Sequence, residues 1–169
     1  MDSRLSAYTA GALSSALTTA HTQPPFEEDL LQNTLWPEIE KLYGHGYEIM
    51  ALATSPDGTI FSSSCKASKE EYASIRLWST KDWTLLCTPL SYHSLTVTCM
   101  AFSRSNKYLL SAGRDRSWAL FDISSVEDQV NPSWSLKQAC PKAHARIIWG
   151  CCFTPDDKAF VTCSRDKMV

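Results

Sequence analysis

HSLTVTCMAFSRSNKYLLSAGRDR (residues 93–116) and HARIIWGCCFTPDDKAFVTCSRDK (residues 144–167) are two copies of one pattern, and that pattern decides the fold. Each opens on a histidine, runs through a short apolar segment into a polar turn, returns through a second apolar segment and ends in Arg-Asp followed by Arg or Lys. His45 opens a looser third copy, so His45, His93 and His144 stand 48 and 51 residues apart, a spacing typical of repeat architectures. Ten residues after each histidine comes Ser55, Ser103 or Thr154, opening SPDG (55–58), SRSN (103–106) and TPDD (154–157). Clusters of Ser, Pro, Asp, Asn and Gly between apolar runs mark hairpin turns. Eighteen residues after each histidine comes a hydroxyl, Ser63, Ser111 or Thr162, and 22 after the second and third comes Asp115 or Asp166.

Between these anchors the apolar runs suit strands. Residues 96–102 (TVTCMAF) and 146–153 (RIIWGCCF) are short, rich in β-branched and aromatic side chains, and end at turns. Residues 108–112 and 159–163 read as the return strands, and 74–78 (SIRLW) and 117–121 (SWALF) as third strands with alternating character. Residues 83–89 and 134–138 leave room for a fourth. The expected unit is a four-stranded antiparallel sheet, repeated along the chain.

Composition fits such a domain and excludes several alternatives. The chain has 169 residues, 44% hydrophobic and 20% charged, with a net charge of -2, ordinary for a globular protein. Residues 1–40 hold one basic residue against six acidic ones, net -5, and the remaining 129 hold 15 basic against 12 acidic, net +3. Neither part has the strong positive balance that marks a dedicated nucleic-acid binder. Residues 1–34 read as a disordered or linker-like leader: Ser and Thr break the apolar stretch of 1–20, and Pro24-Pro25 and Glu27-Glu28-Asp29 follow. The first 20 residues therefore predict no membrane span.

Seven cysteines, an odd number with no C-x-x-C pair, point to a reducing compartment and to thiols acting as small buried hydrophobes. The histidines are scattered singly and Cys151 and Cys152 are adjacent, pointing to opposite faces of a strand, so no metal site is expected. G-x-S-x-G, H-E-x-x-H and a P-loop are all missing, and Gly44-His45-Gly46 lacks the later glycine of a dinucleotide fingerprint. The expectation is a protein that is not an enzyme, with no cofactor and no small-molecule substrate.

With Gly44-His45 opening a repeat and Arg76-Leu77-Trp78 closing it, the sequence resembles the WD-repeat β-propeller family. In that family a His, a Ser or Thr, an Asp and a Trp form a hydrogen-bonded tetrad inside each blade. The resemblance assigns these roles to His45, Ser63 and Trp78 in the first repeat, to His93, Ser111 and Asp115 in the second, and to His144, Thr162 and Asp166 in the third. An insertion within residues 66–72 (KASKEEY) displaces the first repeat's Asp. Phe121 stands where the second repeat's Trp belongs and has no N–H to donate, so an incomplete network is expected there.

KLYGHGYEI (41–49), SCKASKEEYASIRLW (64–78) and HARIIW (144–149) narrow the likeness to the WD-repeat scaffold subunits of the Elongator assembly, over about residues 23–169 and within part of a second propeller. The fold this implies is an all-β propeller fragment over 35–169, with blades at about 41–90, 91–139 and 140–169. Counting 28 residues from His144 passes Val169, so the third blade is expected to be truncated inside its third strand, and the chain alone to be aggregation-prone.

The function the resemblance implies is a non-catalytic scaffold supporting wobble-uridine modification of tRNA, in contact with other Elongator subunits, scaffold and catalytic alike. The location implied is cytoplasmic, with the nucleus as a second compartment. The rival expectation is a WD-repeat adaptor for acidic or phosphorylated peptides. Candidate contact residues for partner or RNA are Lys66, Lys69, Arg114, Arg116, Arg146, Arg165 and Lys167, and solvated turn charge is the plainer account of the turn cations. The charged loop at 66–72 is the leading candidate for a subunit contact, and a weak or indirect tRNA contact is a third expectation. Trp36, Trp83 and Trp134 fit apolar anchors or an interface.

Overall fold

The computed structural model describes residues 40–127 and 132–169. The leader expected at 1–34, and Trp36 with it, lie outside the described residues. Leu42–Val169 form one compact unit.

Among the described residues, nine strands make three antiparallel sheets in chain order. The first holds β1 (Ile49–Thr54), β2 (Ile60–Cys65) and β3 (Ile75–Ser79). The second holds β4 (Val97–Phe102), β5 (Tyr108–Gly113), β6 (Trp118–Ser125) and β7 (Ser133–Cys140). The third holds β8 (Ile148–Phe153) and β9 (Phe160–Ser164). Each strand pairs with its sequence neighbour, as hairpin turns dictate, and each sheet is one blade. A register shift recurs at the same place in all three, between Ile49 and Ala51, Val97 and Cys99, and Ile148 and Gly150.

Chemistry at the turns follows the sequence closely. The last residue of each four-residue turn, Gly58, Asn106 or Asp157, has φ of 74°, 59° or 56°. Those are the residue types that enter the left-handed region most easily. Inside each turn a hydroxyl reaches a neighbour two residues on: Ser55 donates to Asp57 at 2.6 Å, Thr154 to Asp156 at 2.6 Å, and Ser103 and Ser105 meet at 3.1 Å.

The first blade differs from the expected four strands. Residues 83–89 form no continuous strand beside β3. Two isolated bridges, Ile75 with Leu90 and Trp78 with Leu85, hold the edge instead. Trp83 turns through φ 59°, and Pro89 has no N–H to give a ladder. The segment therefore touches β3 at separate points, with Leu86 N–H donating to Leu77 O at 2.9 Å and Leu90 N–H to Ile75 O at 2.8 Å. In the third blade β9 leads into a turn closed by Ser164 N–H on Met168 O at 3.2 Å. Val169 then stands at the position that opens β6 in the second blade.

Blades pack face to face, β4 lying against both β1 and β8. Burial follows from that stacking. β5, with a blade on either side, is buried at every position but its first, whereas β9 alternates. Ile75, Leu77, Val97, Leu109, Phe121 and Ile123 join β3, β4, β5 and β6 in one core.

Polar clasps cross between blades at the turns. Asn106 donates to the Asp57 carboxylate at 2.8 Å. Asp157 accepts the N–H groups of Arg104 and Ser105 at 2.8 and 2.7 Å. Replacing Asp157 by alanine leaves two turn amides without their acceptor. Hydrogen exchange at Arg104 and Ser105 is expected to accelerate several-fold while β5 stays protected; unchanged exchange would show that the clasp does not restrain the turn.

Candidate functional site

The histidines seed one network per blade, and donor–acceptor logic fixes each proton. In the second blade His93, 1% exposed, meets the Asp115 carboxylate through Nδ1 at 3.0 Å and Ser111 Oγ through Nε2 at 2.8 Å. A carboxylate only accepts, so Nδ1 carries the proton and Nε2 accepts from Ser111. Asp115 also accepts the Ser94 and Ser117 N–H groups, both at 3.1 Å, and the Ser117 hydroxyl at 2.7 Å. Burial works to raise the Asp115 pKa, but the His93 and Ser117 hydrogen bonds outweigh it and hold the carboxyl at about 2.

The third blade repeats this arrangement. His144 Nδ1 meets Asp166 at 3.1 Å, Nε2 meets Thr162 at 2.9 Å, and Ala145 N–H donates to the same carboxylate at 2.9 Å. The first blade is built differently: Trp78 Nε1–H donates to Ser63 Oγ at 2.7 Å, and Ser63 stands 2.7 Å from His45 Nε2. Three back from the start of its third strand, where the second blade has Asp115, stands Tyr72.

Phe121 leaves the second network without an indole donor to Ser111 Oγ, and Ser117 joins the network on the other side of the histidine. Ser117 Oγ sits 3.1 Å from His93 Nδ1 as well as bonding Asp115, and Ser111 Oγ lies 3.4 Å from Ala119 O. Sequence reasoning missed Ser117, although a serine opens the third-strand run in both of the first two blades, Ser74 in SIRLW and Ser117 in SWALF.

The candidate contact residues separate into groups. Lys66, Arg114 and Arg165 line one cavity of about 500 Å³ with Glu48, Met50 and Trp149. All three cations are exposed, and Lys66 lies 3.9 Å from Glu48. Arg116, at φ 70°, lines a second cavity of about 360 Å³ beside Asp115 and Lys142. Lys69, Arg146 and Lys167 are exposed and line neither of these two. Lys69 precedes a single 3₁₀ turn, Glu70–Tyr72, which the inserted loop forms. The convergence of the three cations had a readable signal: each stands 21 residues after its blade's histidine.

Trp83 and Trp134 act as anchors. Trp83 packs on Phe61 with ring centroids 6.3 Å apart. Trp134 packs edge-on to Phe121 and donates its N–H across to Thr88 O of the first blade at 3.0 Å. All seven cysteines are free thiols. Cys99 and Cys151 meet between β4 and β8, where hydrogen bonding from Cys151 lowers the Cys99 pKa and the same contact with burial raises that of Cys151. Among the described residues no His, Cys, Asp or Glu cluster is placed to hold a metal, and no helix is long and apolar enough to cross a membrane.

Comparison with known proteins agrees with this architecture. The family model described as WD domain, G-beta repeat matches residues 36–79, 83–122 and 135–169. Elongator complex protein 2 of Danio rerio is 51% identical over 150 residues, covering 87% of this chain and 18% of the relative. The protein of that name from Homo sapiens is 49% identical over 152 residues (88% and 18%), and that from Saccharomyces cerevisiae 44% over 148 residues (86% and 18%). The chain thus spans about a fifth of the length of these curated relatives. The Cps50 (Swd1) β-propeller domain of Myceliophteria thermophila superposes with a TM-score of 0.58 at 16% identity, covering 76% of this chain and 36% of that one. That likeness shows the fold: an all-β propeller fragment.

Proposed function

The chain belongs to the WD40 family of WD-domain, G-beta repeats, and from that premise we propose that it serves as part of a non-catalytic scaffold in an Elongator-type complex. It supports modification of tRNA wobble uridines by holding other subunits in place. The observation that carries this is the 44–51% identity to proteins named Elongator complex protein 2 across 86–88% of the chain. The seven free thiols fit the cytoplasm or nucleus, where such a complex would work.

Partner contact is assigned to two features. One is the inserted loop at 66–72, which stands out from the blade with Ser68, Lys69, Glu70 and Glu71 exposed. The other is the cavity that gathers Lys66, Arg114 and Arg165 around Trp149. The cavity also supports the adaptor reading, since three cations beside an aromatic ring suit an acidic or phosphorylated peptide.

Affinity capture of the tagged full chain from cells, with Elongator subunits identified in the eluate, tests the proposal. Recovery of the scaffold and catalytic subunits is the expected result, and their absence would overturn it. Deleting Ser68–Tyr72 is expected to reduce recovery; full recovery would remove the loop from the contact surface. Filter binding of tRNA at low salt, with and without the R114E and R165E charge reversals, separates an RNA role. Unchanged affinity would exclude this face from RNA contact.

A further inference from the structure

The first blade contains an acceptor site with no acceptor in it. Trp78 Nε1–H can only donate, so Ser63 Oγ accepts from it and turns its own proton toward His45 Nε2. His45 therefore carries its remaining proton on Nδ1, the atom that faces a carboxylate in the other two blades. Here no group bonds it among the described residues. Two further donors are likewise unpaired: the Gly46 N–H, whose counterparts at Ser94 and Ala145 bond that same carboxylate, and Arg76 Nε, which is buried without a partner. Arg76 takes the strand position held by Ala119 in the second blade.

These groups share one cavity of about 300 Å³. Gly44, at φ 144°, lets the Arg76 guanidinium lie against the backbone; a Cβ there would come within 2.9 Å of it. The Tyr72 ring forms another wall, 3.0 Å from where a Gly46 Cβ would stand. Burial first, and the Arg76 charge second, lower the His45 pKa and so favour the neutral imidazole with one N–H to give. The other titratable groups facing the cavity are Cys65 from β2 and Glu71 and Tyr72 from the 3₁₀ turn. Glu71 is exposed and engages the Tyr72 hydroxyl, whose pKa it raises.

We propose that this cavity is a binding site for a carboxylate presented by an aspartate or glutamate side chain of a partner polypeptide, seated where the other blades carry Asp115 and Asp166. The sister blades supply the template. A single carboxylate oxygen bridges the histidine Nδ1–H and the next residue's N–H at 3.0 and 3.1 Å in the second blade, and at 3.1 and 2.9 Å in the third. The first blade keeps both donors and adds a guanidinium, so an incoming carboxylate gains a charge-assisted bond the internal ones lack. The site stands on the blade's own hydrogen-bond chemistry and is independent of which assembly the chain joins.

Imidazole NMR of the full 169-residue chain tests it, with N-acetyl-aspartate methylamide as the probe. The His45 resonances are expected to move saturably and its pKa to rise. His93 and His144, already paired with carboxylates, should not move and also report that the blades remain folded. The asparagine analogue should be silent, R76L should weaken binding roughly 10-fold or more, and R76K, lacking Nε–H, should weaken it as well. Y72D, which places a carboxylate at the Asp115-equivalent position, should abolish the response. No movement of His45 at saturating probe, equal movement of all three histidines, or an equal response to inorganic phosphate would each overturn the assignment.

Discussion

Phe121→Ala is expected to cost about 3–5 kcal/mol, read as a lower urea midpoint at unchanged slope. Phe121 has no exposed surface and sits in β6 opposite Leu109. Its ring meets Trp134 edge-on at 5.5 Å, and Trp134 in turn ties the second blade to Thr88 in the first. Truncation opens a void on both sides of that tie, so the loss combines transfer, cavity and inter-blade contact. Phe121→Trp restores the residue a WD repeat usually carries, yet it is not expected to stabilise. Trp134 already lies against the ring, Ser117 already supports His93, and a larger side chain in a filled core costs about 1–3 kcal/mol. A stability gain on Phe121→Trp would show that the second blade suffers from its missing indole after all.

What the sequence made legible is what each blade does within itself. The histidine spacing, the hydroxyl 18 residues on and the aspartate 22 residues on fall at fixed counts, because an antiparallel hairpin converts sequence distance directly into strand register. Ser111 and Thr162 therefore meet His93 and His144 as expected. Contacts between blades have no such local arithmetic. Asp157 reaching the amides of Arg104 and Ser105, or Trp134 reaching Thr88, joins residues about 50 positions apart whose partnership depends on how sheets stack. The first blade's edge failed to form a strand for another reason: residues 83–89 combine the right apolar character with a left-handed Trp83 and a proline, and backbone chemistry overrode the pattern.

Asp115→Ala tests how much a blade depends on its carboxylate, and about 3 kcal/mol is the expected loss. The substitution takes the carboxylate away from His93 Nδ1–H, the Ser94 and Ser117 N–H groups and the Ser117 hydroxyl, and His93, almost wholly buried, keeps only Ser117 Oγ at 3.1 Å. In the first blade the histidine itself lines a cavity, whereas the cavity in the second blade reaches Asp115, Ser94 and Ser117 and not His93. Acid gives the effect a second signature. Asp115 titrates at about 2 in the folded chain and near ~4 when unfolded. Its contribution is complete above pH ~4 and disappears as the pH falls through the folded value. The natural chain should therefore lose stability between pH ~4 and ~2 more steeply than the alanine variant, and the two should converge at the acid end. Parallel curves across that range would show that the carboxylate acts in the blade as a shape and not as a charge.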